Sequence, residues 1–218
     1  MNRIPAREAL ARLHAGNRRF ATELHNRGAV VSHERRLELA AAGQAPFAVI
    51  LGCSDSRVPV EIVFDQGLGD LFVIRVAGNI VAPSQVGSVE FAAEQYGTRL
   101  VVVLGHSRCG AVLATIEQLQ RPVPMQSRNL HTIVDRVRPA VENLLGTGLE
   151  RDPDTLVHHA VRANIRASAD HLRHGSPLIE QLIENDGLVV VGAEYSLETG
   201  EVDFFDGLPP DHEGMAAR

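Results

Sequence analysis

The run RLVVVLG, Arg99 to Gly105, sets a leucine, three valines and a second leucine between an arginine and a glycine. Seven residues are far too few to cross a bilayer, which takes about 20 in a helix. A β-branched run with no polar alternation suits a strand covered on both faces, the situation in a parallel sheet. Two earlier stretches have the same character, PFAVILG ending at Gly52 and LFVIRV starting at Leu71. From Leu188, LVVVGAEYSLETGEVDFF reads as two strands turning at Glu198 to Gly200, a pairing that suits an antiparallel edge.

Helical patterns separate these runs. SQVGSVEFAAEQYG has a polar start at Ser84, an apolar stripe through Val89 and Ala93, and a closing Gly97. CGAVLATIEQLQ follows the third strand. DTLVHHAVRANIRASADHL repeats apolar residues at Val157, Val161, Ile165 and Leu172, and SPLIEQLIENDG carries a Ser cap, a first-turn Pro and a C-terminal Gly. Leu10, Leu13 and Phe20 lie at near-helical spacing in an amphipathic N-terminal segment whose apolar face needs a partner. Strand and helix alternation predicts an α/β fold, a mostly parallel central sheet with an antiparallel edge strand, flanked by helices. At 218 residues, 44% of them hydrophobic and 22% charged, the chain suits a single domain over 1–218, with a helical arm at 1–40 and an α/β core at 45–205.

A net charge of -6 disfavours nucleic acid as the main partner, because neutralising phosphates takes clustered basic residues. The start MNRIPAREALARLHAGNRRF has no continuous apolar segment and so is no secretory signal. No membrane partner and a cytoplasmic location are expected. Two cysteines, Cys53 and Cys109, cannot build a disulfide framework and would stay reduced in a cytosol.

Both thiols fall at strand ends. In open parallel sheets ligands gather outside the carboxyl ends of the strands. Cys53 follows the first strand, and His106-Ser107-Arg108-Cys109-Gly110 follows the third. Two thiolates and an imidazole are ligands that zinc accepts, and three protein ligands with an open fourth position is a catalytic arrangement. A buried cysteine alone is usually an inert small hydrophobe, and an Asp-x-Arg turn alone is usually a solvated surface pair. Here every thiol in the chain, one histidine and the pair Asp55 and Arg57 meet at ends that the sheet brings together.

Cys-Ser-Asp-Ser-Arg at Cys53 to Arg57 and Gly-His-Ser-Arg-Cys-Gly at Gly105 to Gly110 resemble the motifs of the β-class carbonic anhydrases. The likeness extends to GNRRF from Gly16, DQGLGDLFVIRVAGN from Asp65 and GSVEFAAEQYG from Gly87. The resemblance implies zinc held by Cys53, His106 and Cys109, and reversible hydration of carbon dioxide to bicarbonate by the hydroxide that zinc generates. It implies Asp55 and Arg57 as a catalytic dyad. An ionised carboxylate only accepts hydrogen bonds, so Asp55 would orient the hydroxide, while Arg57 keeps Asp55 ionised and fixed. Two thiolates offset the metal's charge, so activity should favour alkaline pH.

The resemblance also assigns a substrate pocket: Gln44, reaching across a subunit boundary; Phe72 and Phe91 as aromatic walls; Ala77, where relatives often carry valine; and Gly110. It implies a homodimer or a higher homo-oligomer such as a tetramer. In bicarbonate-inhibited relatives a tryptophan works with an arginine and a tyrosine. Arg75 and Tyr195 stand at the matching positions, but Ile50 replaces the tryptophan, so a site that keeps its open metal position is expected, with Asp55 as a fourth ligand at low pH left as the alternative. Two other readings remain: a hydrolase of carbonyl sulfide or carbon disulfide on the same scaffold, and a non-catalytic zinc or redox sensor. Asp55, Arg57 and Gln44 tell against the sensor, which needs no hydroxide-orienting carboxylate.

Overall fold

The structure is a computed structural model that describes residues 3–24, 32–122 and 127–209. In chain order its elements are α1 (Ala6–Ala21), α2 (His33–Ala42), β1 (Ala48–Gly52), α3 (Val60–Val63), β2 (Leu71–Arg75), α4 (Pro83–Gln95), β3 (Leu100–His106), α5 (Gly110–Gln120), α6 (Arg128–Val141), α7 (Pro153–His174), α8 (Pro177–Asn185), β4 (Val189–Tyr195) and β5 (Val202–Asp206). The strands form one sheet in the order β2-β1-β3-β4-β5. All neighbours run parallel except β5, which pairs antiparallel with β4. The expected α/β architecture and its antiparallel edge are therefore present.

Successive strand residues point to opposite faces, and both faces of this sheet are apolar. Val49, Leu51, Val101, Val103 and Val190 join the core on one side, with residues of α4 to α8. Ala48, Ile50, Leu100, Val102, Leu104 and Val191 join the other, with α1 and α3. Every residue of β1 and β3 is buried, which accounts for their unbroken apolar sequences.

The apolar face of α1 finds its partner within the chain, which corrects the expectation of an arm in need of one. Ala9, Leu10 and Leu13 are fully buried against the sheet. The Gly-Asn of GNRRF explains the close docking. A Cβ on Gly16 would sit 1.8 Å from the Phe64 carbonyl oxygen, so only glycine lets the helix approach the end of α3. Asn17 Nδ2 donates to the carbonyls of Val63 and Gly200 at 3.1 and 2.9 Å, and its Oδ1 accepts from the Val202 amide at 2.8 Å. α2, by contrast, buries none of its residues; residues 25–31 of the expected arm lie outside the described residues.

Helix α4 begins one residue before the expected Ser84. Ala82 is its N-cap and Pro83 occupies the first turn, where a fixed φ and a missing N–H cost nothing. The Ser84 hydroxyl turns instead to Gln85 Oε1. Arg99, at the foot of β3, is 4% exposed and fully engaged. It donates to the carbonyls of Ala93, Thr98 and Asp186 and pairs with the Asp186 carboxylate. A buried guanidinium is tolerable only with its donors satisfied.

Two outcomes follow from this packing. Gly16→Ala should destabilise the fold by about 1–3 kcal/mol through overpacking; an unchanged urea midpoint would contradict the close contact. Arg99 holds the Asp186 carboxyl below its ordinary value, so its stabilisation is complete above the unfolded-state pKa of about 4 and is lost as pH falls through the lowered folded value. Asp186→Asn should therefore be less stable than the parent at pH 7, with the gap narrowing below about pH 4 in paired denaturation curves.

Candidate metal centre

Three elements deliver three donors. Cys53 is the first residue after β1, His106 is the last residue of β3, and Cys109 is the N-cap of α5. Their ligand atoms all lie within 4.8 Å of one another, and all three residues are buried. Among the described residues this is the one such group.

The imidazole is prepared to donate a lone pair. His106 Nδ1 lies 2.9 Å from the Ser107 carbonyl oxygen, which can only accept, so Nδ1 carries a proton and in the neutral ring the lone pair falls on Nε2. Nε2 is buried without a hydrogen-bond partner. Buried polar atoms are almost always paired, and an orphaned imidazole nitrogen facing two sulfurs has the chemistry of a metal ligand.

The two thiols are coupled. The Cys109 thiol holds Cys53 well below the ordinary thiol range, helped by the Gly78 amide, which lies 3.4 Å from Sγ. Cys109 is pushed up, first by that hydrogen bond to Cys53 and then by burial. One proton is thus shared by two close sulfurs, because two bare thiolates would repel in a buried site. A divalent cation removes that conflict, and the donor set fits a borderline-soft one.

Asp55 lies beside the donors. Its Oδ1 accepts from Arg57 N and Nε at 3.0 and 2.9 Å, and its Oδ2 accepts from Arg57 Nη2 at 2.7 Å. These bonds to Arg57 hold the carboxyl well below the usual carboxylate range, so it is ionised at neutral pH. Oδ2 is 3.8 Å from His106 Nε2, too far for a hydrogen bond. The carboxylate therefore lies beside the donor cluster without a hydrogen bond to the imidazole.

The aromatic positions also gather. Phe72 and Phe91 have ring centroids 6.2 Å apart, and both pack against Tyr96 at 6.0 and 5.8 Å. Gln44 Nε2 donates to the Tyr96 hydroxyl at 2.9 Å within the same chain. Ala77 opens a single 3-10 turn ending at Asn79, and a Cβ on Gly110 would meet nothing within 4 Å.

Several residues that shape the site escaped the sequence reading. Arg75, noted there only for a regulatory position, donates to the carbonyls of Cys53 and Asp55 at 2.9 and 2.6 Å and so braces the loop after β1. Asn164, from α7, donates to the Gly78 carbonyl at 2.8 Å and anchors the residue whose amide meets Cys53. Ser107 and Arg108 bind Glu198 on the β4–β5 turn. The sequence separations are 86 residues for Asn164 to Gly78 and 91 for Ser107 to Glu198, so no local pattern could announce them.

A sequence model of the carbonic anhydrase family matches residues 48–202, a span that contains every donor just described. The chain belongs to the β-class carbonic anhydrase family. Carbonic anhydrase 2 of Mycobacterium tuberculosis is 39% identical over 189 residues, covering 86% of this chain and 87% of that protein. The carbonic anhydrase of Mycolicibacterium smegmatis is 40% identical over 193 residues, with the same coverage of 86% and 87%. The crystal structure of the β-carbonic anhydrase CafA of Aspergillus fumigatus aligns with a TM-score of 0.71 at 25% identity, covering 94% of this chain and 92% of that one. A chain from the structures of two tetrameric β-carbonic anhydrases of Sordaria macrospora gives 0.70 at 25% identity, covering 79% and 87%. The chain is accordingly an enzyme of the carbonic anhydrase class.

Gly78 tests the integrity of this β-carbonic anhydrase site. Its φ is +71°, and a Cβ there would lie 3.0 Å from that of Ala111. Gly78→Ala should cost about 1–2 kcal/mol in urea denaturation, from the left-handed backbone alone. A fully stable Gly78→Ala protein would show that the turn facing Cys53 is not held as described.

Proposed function

We propose that the chain catalyses the reversible hydration of carbon dioxide to bicarbonate, with zinc held by Cys53, His106 and Cys109. The observation that carries this reading is the buried, unpartnered Nε2 of His106 beside two thiols, at strand ends that match the family. Zinc, when bound, supplies an oxygen nucleophile near neutral pH by acidifying water.

The chain's own residues do the orienting. Asp55, ionised and fixed at both oxygens by Arg57, can only accept. Asp55 Oδ2, 3.8 Å from His106 Nε2, would accept the proton of the nucleophile that zinc supplies and so orient it toward the carbon of the substrate. Held ready by Arg57, the carboxylate costs no reorganisation during the reaction. Phe72, Phe91 and Ala77 offer carbon dioxide an apolar wall, while Gln44 and the exposed Gly110 amide at the start of α5 supply polar contacts for bicarbonate.

Assembly is part of this reading. In a single chain Phe91 is 52% exposed and Leu37 on α2 is 58% exposed, which supports a homodimer or a tetramer that covers them and brings Gln44 to a neighbour's site. We also read the chain as one domain, with a cytoplasmic location that suits two free cysteines. No helix among the described residues is long and apolar enough to cross a membrane.

Ile50 supports an enzyme without the bicarbonate shut-off of some relatives. It is fully buried in the sheet, and Arg75 is committed to the Cys53 and Asp55 carbonyls. Hydration should rise with pH without cooperative inhibition by bicarbonate; a sigmoidal bicarbonate inhibition curve would contradict this.

Stopped-flow hydration assays with metal analysis on the same samples test the proposal. The parent should contain one zinc per chain and hydrate carbon dioxide, and Cys109→Ser should lose metal and activity together. Asp55→Asn should keep its zinc and lose roughly a hundredfold in rate, because an amide also donates. A zinc-loaded parent that leaves carbon dioxide untouched would overturn the assigned reaction.

A further inference from the structure

Ser107 and Arg108 separate the donors His106 and Cys109, and both are tied to the single carboxylate of Glu198, on the turn between β4 and β5. Ser107 Oγ donates to Glu198 Oε2 at 2.8 Å, and Arg108 Nε lies 3.0 Å from Glu198 Oε1. The same turn returns further bonds. The Leu197 amide donates to Ser107 Oγ at 3.0 Å, and the Ser107 amide donates to the Tyr195 carbonyl at 2.9 Å. We propose that Glu198 is a positioning residue of the metal centre, fixing the dipeptide between His106 and Cys109 so that both donors face one point. The inference rests on reading Cys53, His106 and Cys109 as zinc ligands.

Backbone conformation shows why such a clamp is needed. Arg108 has φ +53°, a left-handed conformation that a non-glycine residue keeps only when its surroundings impose it. This turn lets the chain leave β3 at His106 and re-enter helix at Gly110 with Cys109 directed back toward Cys53. Relaxing Arg108 to an ordinary φ would rotate Cys109 relative to His106. Glu198 opposes that relaxation at two adjacent residues at once.

The carboxylate is poorly placed to act as a simple stabiliser. Arg108 is 70% exposed and Glu198 49% exposed as side chains, and ion pairs at such exposure contribute little to folding. Ser107 is the better sheltered contact, and its hydroxyl is fully used, accepting from Leu197 and donating to Glu198. The role of Glu198 is therefore to set geometry, and its loss should appear at the metal before it appears in the fold.

The test compares the parent protein with Glu198→Ala and Glu198→Gln, each loaded with zinc. Three quantities are measured: the rate of zinc release to an excess of chelator, the absorption spectrum of the cobalt(II)-substituted protein, and the thermal midpoint of the metal-free protein. Glu198→Ala should release zinc roughly ten- to a hundredfold faster, the range expected when a partner of the ligand segment is lost. Its cobalt bands should shift, while its metal-free midpoint should move by no more than about 4 °C. Glu198→Gln, which keeps an acceptor for Ser107 but not the charge for Arg108, should fall between the two. Equal zinc release and an identical cobalt spectrum in Glu198→Ala would overturn the inference. So would faster release matched by a large loss of metal-free stability with unchanged cobalt bands, which is the mark of a merely structural contact. A parent that binds no zinc overturns the metal-centre reading and this inference with it, whereas a zinc-holding parent matched by Glu198→Ala overturns this inference alone.

Discussion

Parallel pairing of β1 with β3 is the constraint on which the rest of the molecule depends. The register couples Gly52 to Leu104, so the chain that leaves β1 at Cys53 runs beside the chain that reaches His106. A slip of one residue would exchange the two faces of a strand buried on both sides and would set Cys53 against a different neighbour. Both faces are apolar, so the register is held by the fit of unlike side chains, Val49 and Leu51 packing on one face and the small Ala48 with Ile50 on the other. Burial of aliphatic side chains thus determines where a thiol and an imidazole meet.

What the core brings near, a polar frame orients. Arg75 braces the loop carrying Cys53 and Asp55 through two carbonyls, and Asn164 fixes Gly78 opposite the same sulfur. Arg57 saturates the carboxylate that faces the donors. Each of these groups is hydrogen-bonded within the chain, which offsets part of the cost of placing charge near a buried site. Among the described residues two buried side-chain nitrogens lack a partner, His106 Nε2 in the donor cluster and Asn79 Nδ2 in the turn beside it. Of the two, only the imidazole nitrogen faces two sulfurs, which sets it apart from an ordinary buried histidine.

Much of this was legible in the sequence because the signals were local. Unbroken apolar runs marked β1 and β3, the turn at Glu198 to Gly200 marked the antiparallel edge, and Ser176 with Pro177 marked the start of α8. The donors were legible because Cys53 follows one such run directly and His106 and Cys109 fall at and just past the end of the other. Helix α2 was not, since HERRLELAAA carries no apolar stripe to bury. Helix α6 did carry one, at Val134, Val137 and Val141, but it sits in a stretch whose polar flanks drew no reading. The arm's apolar face was visible, yet its partner was not, because docking rests on Gly16 and on Asn17 reaching Gly200, 183 residues away. Separations of 86 and 91 residues likewise hid Asn164 and Glu198 from any motif.

The central claim is that two cysteines and one histidine from two adjacent strand ends bind one metal. X-ray absorption at the zinc edge of the loaded protein measures this most directly. The expected spectrum has a shell of two sulfurs at about 2.3 Å and nitrogen or oxygen neighbours at about 2.0–2.1 Å. A shell without sulfur, or with only one, would contradict the convergence of Cys53 and Cys109 on the same ion.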